Sequence, residues 1–240
     1  METKDKGLFV CIEGIDGTGK TTFINNFQKN NKNTVATRMP GGTDFAESLR
    51  DYARGAKVSP LTQMLTYSAC INDCLENTVI PAYDQGKTVI SDRSYLSTYA
   101  YQVCQNQSLL ENAYIEIIKA APIKPDLMIY IDLNLDTAIE REMNADRVDT
   151  ADRYSQMHRD EKLKIFRNYQ QLLDNPFSPI WKLLAHRVVR VNGNCDAATL
   201  YERIQDEILL CSIQIATSRH AQESLNNFRE DLVSRIMNAG

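Results

Sequence analysis

Five short apolar runs punctuate the chain, at 7–13, 34–38, 87–91, 127–132 and 187–192. Each is continuous rather than alternating and rich in Val and Ile, the pattern of a strand buried on both faces. Between them, apolar positions recur at helical spacing near 20–30, 43–54, 61–84, 94–119, 135–143 and 157–174. A long helix is predicted from Asp196, whose side chain can cap it, to about Thr217. Strands separated by helices predict right-handed crossovers and an α/β fold with a mostly parallel sheet.

Two segments fall outside that alternation. Residues 144–156, NADRVDTADRYSQ, carry two arginines and three aspartates and show no apolar face. They read either as a mobile flap over something charged or as an ordinary solvated loop. Beyond Ser218, Leu225, Phe228, Leu232 and Ile236 stand at helical spacing. A separate final helix is predicted there, at about 218–238, lying on the core or on a partner chain. No repeat or linker divides the 240 residues, so one domain is expected over 1–240.

Composition removes several alternatives. A formal net charge of −4 argues against nonspecific nucleic-acid binding, which draws on a basic stripe. No apolar run approaches the roughly 20 residues that span a bilayer, and METKDKG at the N-terminus has no apolar signal core. A cytoplasmic chain without membrane or nucleic-acid partners is therefore expected. The six cysteines form no CxxC pair and are read as reduced structural thiols.

The first apolar run leads into Gly14-Ile15-Asp16-Gly17-Thr18-Gly19-Lys20-Thr21-Thr22. This satisfies G-x-x-x-x-G-K-[ST] between a strand and a helix. Glycines let the backbone approach phosphate oxygens, and the amides at the helix start form an anion nest. Lys20 is expected to bridge β- and γ-phosphates and the Thr21 hydroxyl to ligate Mg²⁺, so a nucleoside triphosphate binds here. The N-K-x-D signature of a guanine-specific GTPase is absent from the sequence.

Three further stretches lie at or near the carboxyl ends of strands, where open α/β sheets bind ligands. They are 37-TRMPGGT-43, 64-MLTYSACIND-73 and 91-SDRSYLSTYAYQ-102. Asp92 follows an apolar run and suits a metal held through water, while Arg93 offers a fork for a second phosphate. Asp132 ends another apolar strand and ranks second for the metal, because no basic residue follows it. The second strand ends in Thr37-Arg38-Met39-Pro40, without the carboxylate that a nucleoside hydroxyl acceptor requires. A phosphate monoester needs no general base, since its second pKa near 6 leaves it anionic at pH 7. The acceptor is read as a monophosphate.

The P-loop with its internal acid, TR-x-P-G-G-T, and DR followed by AYQ together resemble the thymidylate kinase family, from about Gly7 to Leu210. The resemblance implies a P-loop fold with a five-stranded parallel sheet and a lid, ATP·Mg²⁺ as donor, dTMP as acceptor, and a homodimer. It implies that Asp16 reaches the acceptor's sugar end and that Arg38 and Arg93 lie near its phosphate. Tyr67 would stack on thymine, and Ser97, Tyr101 and Gln102 would line the sugar and base wall. With Gly17 in place of the arginine that some members carry, the transition-state arginine is expected from the flap, Arg153 or Arg147. Arg141 would clamp donor phosphates.

The chain departs from the family at two acceptor positions. Ile71 stands where the family has an arginine donating to thymine O4, so Asn72, a water or a looser base pocket is expected instead. Met39 replaces the usual glutamate or phenylalanine and is read as an apolar contact to base or sugar. The runner-up readings are a kinase for another pyrimidine deoxynucleoside monophosphate and a non-catalytic nucleotide-binding module.

Overall fold

In a computed structural model of the chain, the described residues are 6–55, 57–104, 107–144 and 157–238. Five parallel strands among them form a sheet in the order β2-β3-β1-β4-β5. They are β1 (Leu8–Glu13), β2 (Thr34–Arg38), β3 (Thr88–Asp92), β4 (Leu127–Asp132) and β5 (Arg187–Asn192). Each lies within one residue of its predicted run; β1, β3 and β4 are buried along most of their length, whereas the edge strands β2 and β5 are largely half-buried or exposed.

Side chains alternate between two cores. Phe9 and Cys11 of β1, with Met128 and Tyr130 of β4, join one cluster. It includes residues of α3 (Pro60–Cys74), α5 (Tyr95–Thr98), α6 (Gln107–Lys119) and α8 (Arg159–Leu173). Val10, Ile12, Ile129 and Ile131 point the other way, towards α1 (Lys20–Asn30) and α10 (Ala197–Asn238). The connection leaving β1 runs to β2 on one side of it, and that leaving β3 runs to β4 on the other. The carboxyl ends of β1 and β3 therefore flank a topological switch, where an open sheet forms its crevice.

Local signals start several helices. The Ser59 side chain accepts from Thr62 N at 3.1 Å ahead of Pro60, opening α3. Asn134 caps α7 (Leu135–Met143) through Asp136 N at 2.9 Å. Asp196 accepts from Thr199 N at 2.9 Å and so caps α10 as its position predicted.

Two helical stretches differ from expectation. The run expected as one helix over 94–119 is α5, a π-helical turn over Tyr99–Val103, and then α6. A π turn leaves a carbonyl without its helical partner; the Ala100 oxygen accepts from Asn168 Nδ2 at 2.7 Å. The stretch 61–84 likewise passes through a π turn at Leu75–Val79 into α4 (Ile80–Asp84). At the C-terminus there is one helix of 42 residues rather than two. Its buried residues Leu200, Ile204, Ile208 and Cys211 recur at helical spacing in the first half. The Arg219 guanidinium reaches the Lys6 oxygen at 2.9 Å, and Leu225 is 45% exposed. The remaining helices are α2 (Asp44–Gly55) and α9 (Trp181–Leu184). No helix among the described residues is long and apolar enough to cross a membrane.

Burial predicts unequal contributions along α10. Ile204, fully buried, should cost about 2–4 kcal/mol on substitution by alanine. Leu225→Ala should cost less than about 0.5 kcal/mol. Urea unfolding of both variants checks this; equal losses would mean that the distal half of α10 is packed.

Candidate active site

The P-loop leaves β1 at Glu13 and enters α1 through Gly19, which has φ 91°. Gly17 has φ 80°, and a Cβ there would stand 2.0 Å from the Ala138 oxygen of α7. No side chain fits at Gly17 while α7 keeps this place. Lys20, 5% exposed, donates to the oxygens of Gly14 at 3.0 Å and Ile15 at 2.9 Å, so it rests inside its own loop. Burial lowers the Lys20 pKa, and so does Arg93; Asp92, Asp16 and Glu13 oppose the shift.

Register places the ends of three strands side by side. Asp92 is paired with both Arg38 and Ile12. The Thr21 hydroxyl donates to Asp92 Oδ2 at 2.8 Å. Asp92 Oδ1 is buried and has no hydrogen-bond partner among the described residues. An orphaned carboxylate oxygen next to the P-loop threonine fits a Mg²⁺ ion, which takes few protein ligands and several from phosphates and water. Asp132, the other strand-end aspartate, accepts from Gln170 Nε2 at 3.0 Å and Arg190 Nη2 at 2.8 Å. Its oxygens are committed to the structure.

Arg93 adopts φ 73°, a left-handed conformation that non-glycine residues rarely take. Its guanidinium pairs with Asp16. It also donates to the Gly14 oxygen at 3.2 Å and Ser97 Oγ at 3.0 Å, and lies 5.4 Å from the Tyr101 ring centroid. Burial alone would raise the Asp16 pKa, but Arg93, then Lys20, outweighs it and holds the carboxyl below its ordinary value. Asp16 is therefore ionised beside the phosphate cradle.

The anchor beneath this arrangement is Glu13, which the sequence reading did not single out. Its carboxylate has no exposed surface. Oε1 accepts from Ser94 N and Oγ at 2.8 Å each and from Ser97 N at 3.2 Å. Ser97 Oγ and the Tyr169 hydroxyl converge on Oε2 at 2.8 and 3.2 Å. Burial raises the Glu13 pKa, against the opposing pull of Arg93 and the two serines. An acid closing an otherwise apolar strand was the available signal.

Two cavities open on these groups. The larger, about 970 Å³, is lined by P-loop residues Asp16 to Thr22, by Asp92, Arg93 and Arg141, and by the start of α10. The smaller, about 110 Å³, is lined by Asp16, Pro40, Arg50, Arg54, Tyr67, Arg93, Ser97, Thr98, Tyr101 and Gln102. Asp16 and Arg93 belong to both. Ile15 instead faces a recess of about 20 Å³ beside α7 and α8. Arg141 donates to the oxygens of Gly193 at 3.4 Å and Cys195 at 3.1 Å on the rim of the larger cavity.

Some residues are placed differently from expectation. Arg38 pairs with Glu47, and it lines the larger cavity with the buried Met39, not the smaller one. Ile71 does not line the smaller cavity; it has no exposed surface and lies in the apolar core. Asn72 donates to Glu76 at 3.1 Å on the surface of α3. Arg50 and Arg54 were missed, although their four-residue spacing on α2 was a findable signal. Arg147 and Arg153, with all of the expected flap except Asn144, lie outside the described residues.

A phosphate cradle and a second recess that share an ion-paired aspartate and arginine define a P-loop phosphotransferase with separate donor and acceptor sites. Comparison narrows the class. A protein-family model of thymidylate kinase matches residues 12–185. The thymidylate kinase of Mycoplasmoides gallisepticum is 29% identical over 219 residues, covering 85% of this chain and 95% of that protein. That of Thermoanaerobacter sp. strain X514 is 35% identical over 153 residues, covering 60% and 75%. The solved thymidylate kinase of Candida albicans shares the fold at a TM-score of 0.67, with 19% identity and 85% and 92% coverage. The chain belongs to the thymidylate kinase family and is an enzyme that phosphorylates dTMP to dTDP.

Glu13→Ala removes the acceptor for two buried amides and three hydroxyls. It should lower the unfolding free energy by at least about 2 kcal/mol, seen in thermal or urea denaturation. An unchanged midpoint would mean that water replaces the carboxylate.

Proposed function

We propose that ATP·Mg²⁺ binds the larger cavity and dTMP the smaller, with the two phosphate chains meeting between Asp16 and Arg93. The carrying observation is that these two residues line both cavities. On this reading, an oxygen of the dTMP phosphate attacks the γ-phosphorus. A new P–O bond forms there as the bond to the β,γ-bridging oxygen breaks, and ADP leaves. The attacking oxygen is already anionic, so no side chain needs to take a proton. What the enzyme contributes is alignment and positive charge.

Lys20 would leave the loop oxygens of Gly14 and Ile15 for the β- and γ-phosphates, exchanging neutral acceptors for anionic ones. Arg93 would hold the acceptor phosphate, and Asp16 would hold Arg93 in place while reaching the sugar. Tyr67 offers a ring face to the base; Tyr101 and Gln102 close the wall beside it. Thr21 and Asp92 would hold Mg²⁺, which when bound supplies neutralisation of phosphate charge. Arg141 would serve the donor side. Since Gly17 admits no side chain, the arginine facing the transferred phosphoryl is assigned to Arg153 or Arg147.

The Candida albicans relative is described as having broad substrate specificity. Here the argument for a relaxed base pocket loses its basis, because Ile71 lies outside the pocket. Assembly as a homodimer is supported by apolar side chains left exposed on α2 and α3: Phe45, Tyr52, Leu61 and Leu65. Sedimentation should give twice the chain mass; a monomer at micromolar concentration would reject the dimer.

Coupled ADP release across the common nucleoside monophosphates tests the reaction. Turnover should require Mg²⁺ and be fastest with dTMP. Lys20→Ala should lower kcat about a hundredfold or more while keeping a folded circular-dichroism spectrum. ADP release that ignores the acceptor would remove the two-site reading.

A further inference from the structure

The acceptor pocket has two ends. Asp16, Pro40, Arg50 and Arg93 are shared with the donor cavity, whereas Arg54, Tyr67, Ser97, Thr98, Tyr101 and Gln102 line the acceptor pocket alone. Of the second group, Ser97 and Tyr101 stand beside Arg93 at the shared end, whereas Arg54 and Tyr67, on α2 and α3, lie outside the donor cavity and mark the other end. A nucleotide with its phosphate at the shared end places its base at the other. On a pyrimidine, position 4 lies on the edge opposite the glycosidic bond, and in thymine it carries a carbonyl, which only accepts.

Among the described residues lining that far end, Arg54 is the cation. It lies on α2 one helical turn beyond Arg50, about 6 Å further along the axis and on the same face. Arg50 reaches both cavities and Arg54 only the far end, so α2 runs from the phosphate side towards the base side. The Arg54 side chain is 16% exposed, and its Nη1 stands 3.8 Å from Asp51, itself 69% exposed. Such a contact is weak; Arg54 makes at least one further contact besides, and a guanidinium carries five donors to share among partners. Neither candidate on α3 can serve. Ile71 is sealed in the core, and Asn72 is turned to Glu76.

We propose that Arg54 is the base-edge donor of this enzyme: it hydrogen-bonds the 4-carbonyl of the pyrimidine and so selects a 4-oxo over a 4-amino ring. The inference rests on dTMP occupying this pocket. A 4-amino group would set donor against donor and leave buried groups unpaired, the mismatch that discriminates most strongly. The 5-substituent plays no part in that contact, so dUMP passes the same test as dTMP.

The test is steady-state kinetics of Arg54→Met, Arg54→Lys and Tyr67→Ala with dTMP and 5-methyl-dCMP. Arg54→Met keeps an unbranched, flexible side chain, though a shorter one, and removes the donors. It should raise the KM for dTMP about tenfold or more, leave kcat within about threefold, and shrink the preference for dTMP by a similar factor. Arg54→Lys should recover part of both losses. If Arg54→Met leaves KM and preference unchanged while Tyr67→Ala raises KM, the assignment of Arg54 is overturned and the pocket stands. If neither substitution moves the KM for dTMP, the pocket assignment falls with it.

Discussion

A carboxylate without access to water ends the central strand of the sheet, and the catalytic end of the molecule is arranged around it. Glu13 sits where β1 gives way to the P-loop and gathers the amides and hydroxyls of Ser94 and Ser97, together with the Tyr169 hydroxyl. Burying such a group is costly unless its oxygens are filled with donors. Here the donors come from the segment just after β3 and from α8, so the same bonds that offset the burial tie three elements together. Arg93, next to Ser94, is left in a left-handed conformation. That conformation accompanies a guanidinium turned back across the P-loop to Asp16.

The acid within the P-loop then has a physical explanation. A carboxylate beside bound phosphates would repel them if it stood alone. Paired with Arg93, Asp16 instead fixes a cation at the junction of the two cavities. Lys20 waits in the same neighbourhood on neutral carbonyl oxygens, which it can give up for charged ones.

Two aspartates with the same position in sequence, each closing an apolar strand, have different fates. Asp132 is consumed by Gln170 and Arg190 in a network that joins β4, β5 and α8. Asp92 retains one buried oxygen with no hydrogen-bond partner among the described residues, beside the P-loop threonine. Their roles follow from their neighbours rather than from their position on the strand. The P-loop shows the same dependence at Gly17, where the Ala138 oxygen of α7 closes the space a side chain would need. A helix far along the chain thus limits which charges can reach the transferred phosphoryl from the loop itself.

The five strands, most helix ends and the P-loop were legible from residue order. Each depends on local physics: continuous apolar runs for strands buried on both faces, side-chain caps, and glycines where the backbone must turn tightly. The lining of the smaller cavity was legible in part, since Asp16, Tyr67, Arg93, Ser97, Tyr101 and Gln102 all border it. Periodicity could not tell whether Ile71 faced the pocket or the core, because both lie on buried sides of α3 and only the packing of neighbouring helices separates them. Glu13 finds its partners 81 to 156 residues away, and Arg54 reaches the smaller cavity only because α2 lies along it. The sequence by itself determined which segments are strands and where phosphate can be cradled, since those depend on neighbours along the chain. Which charged groups face one another across the site was decided only by the tertiary structure, because electrostatics and hydrogen bonding act through space.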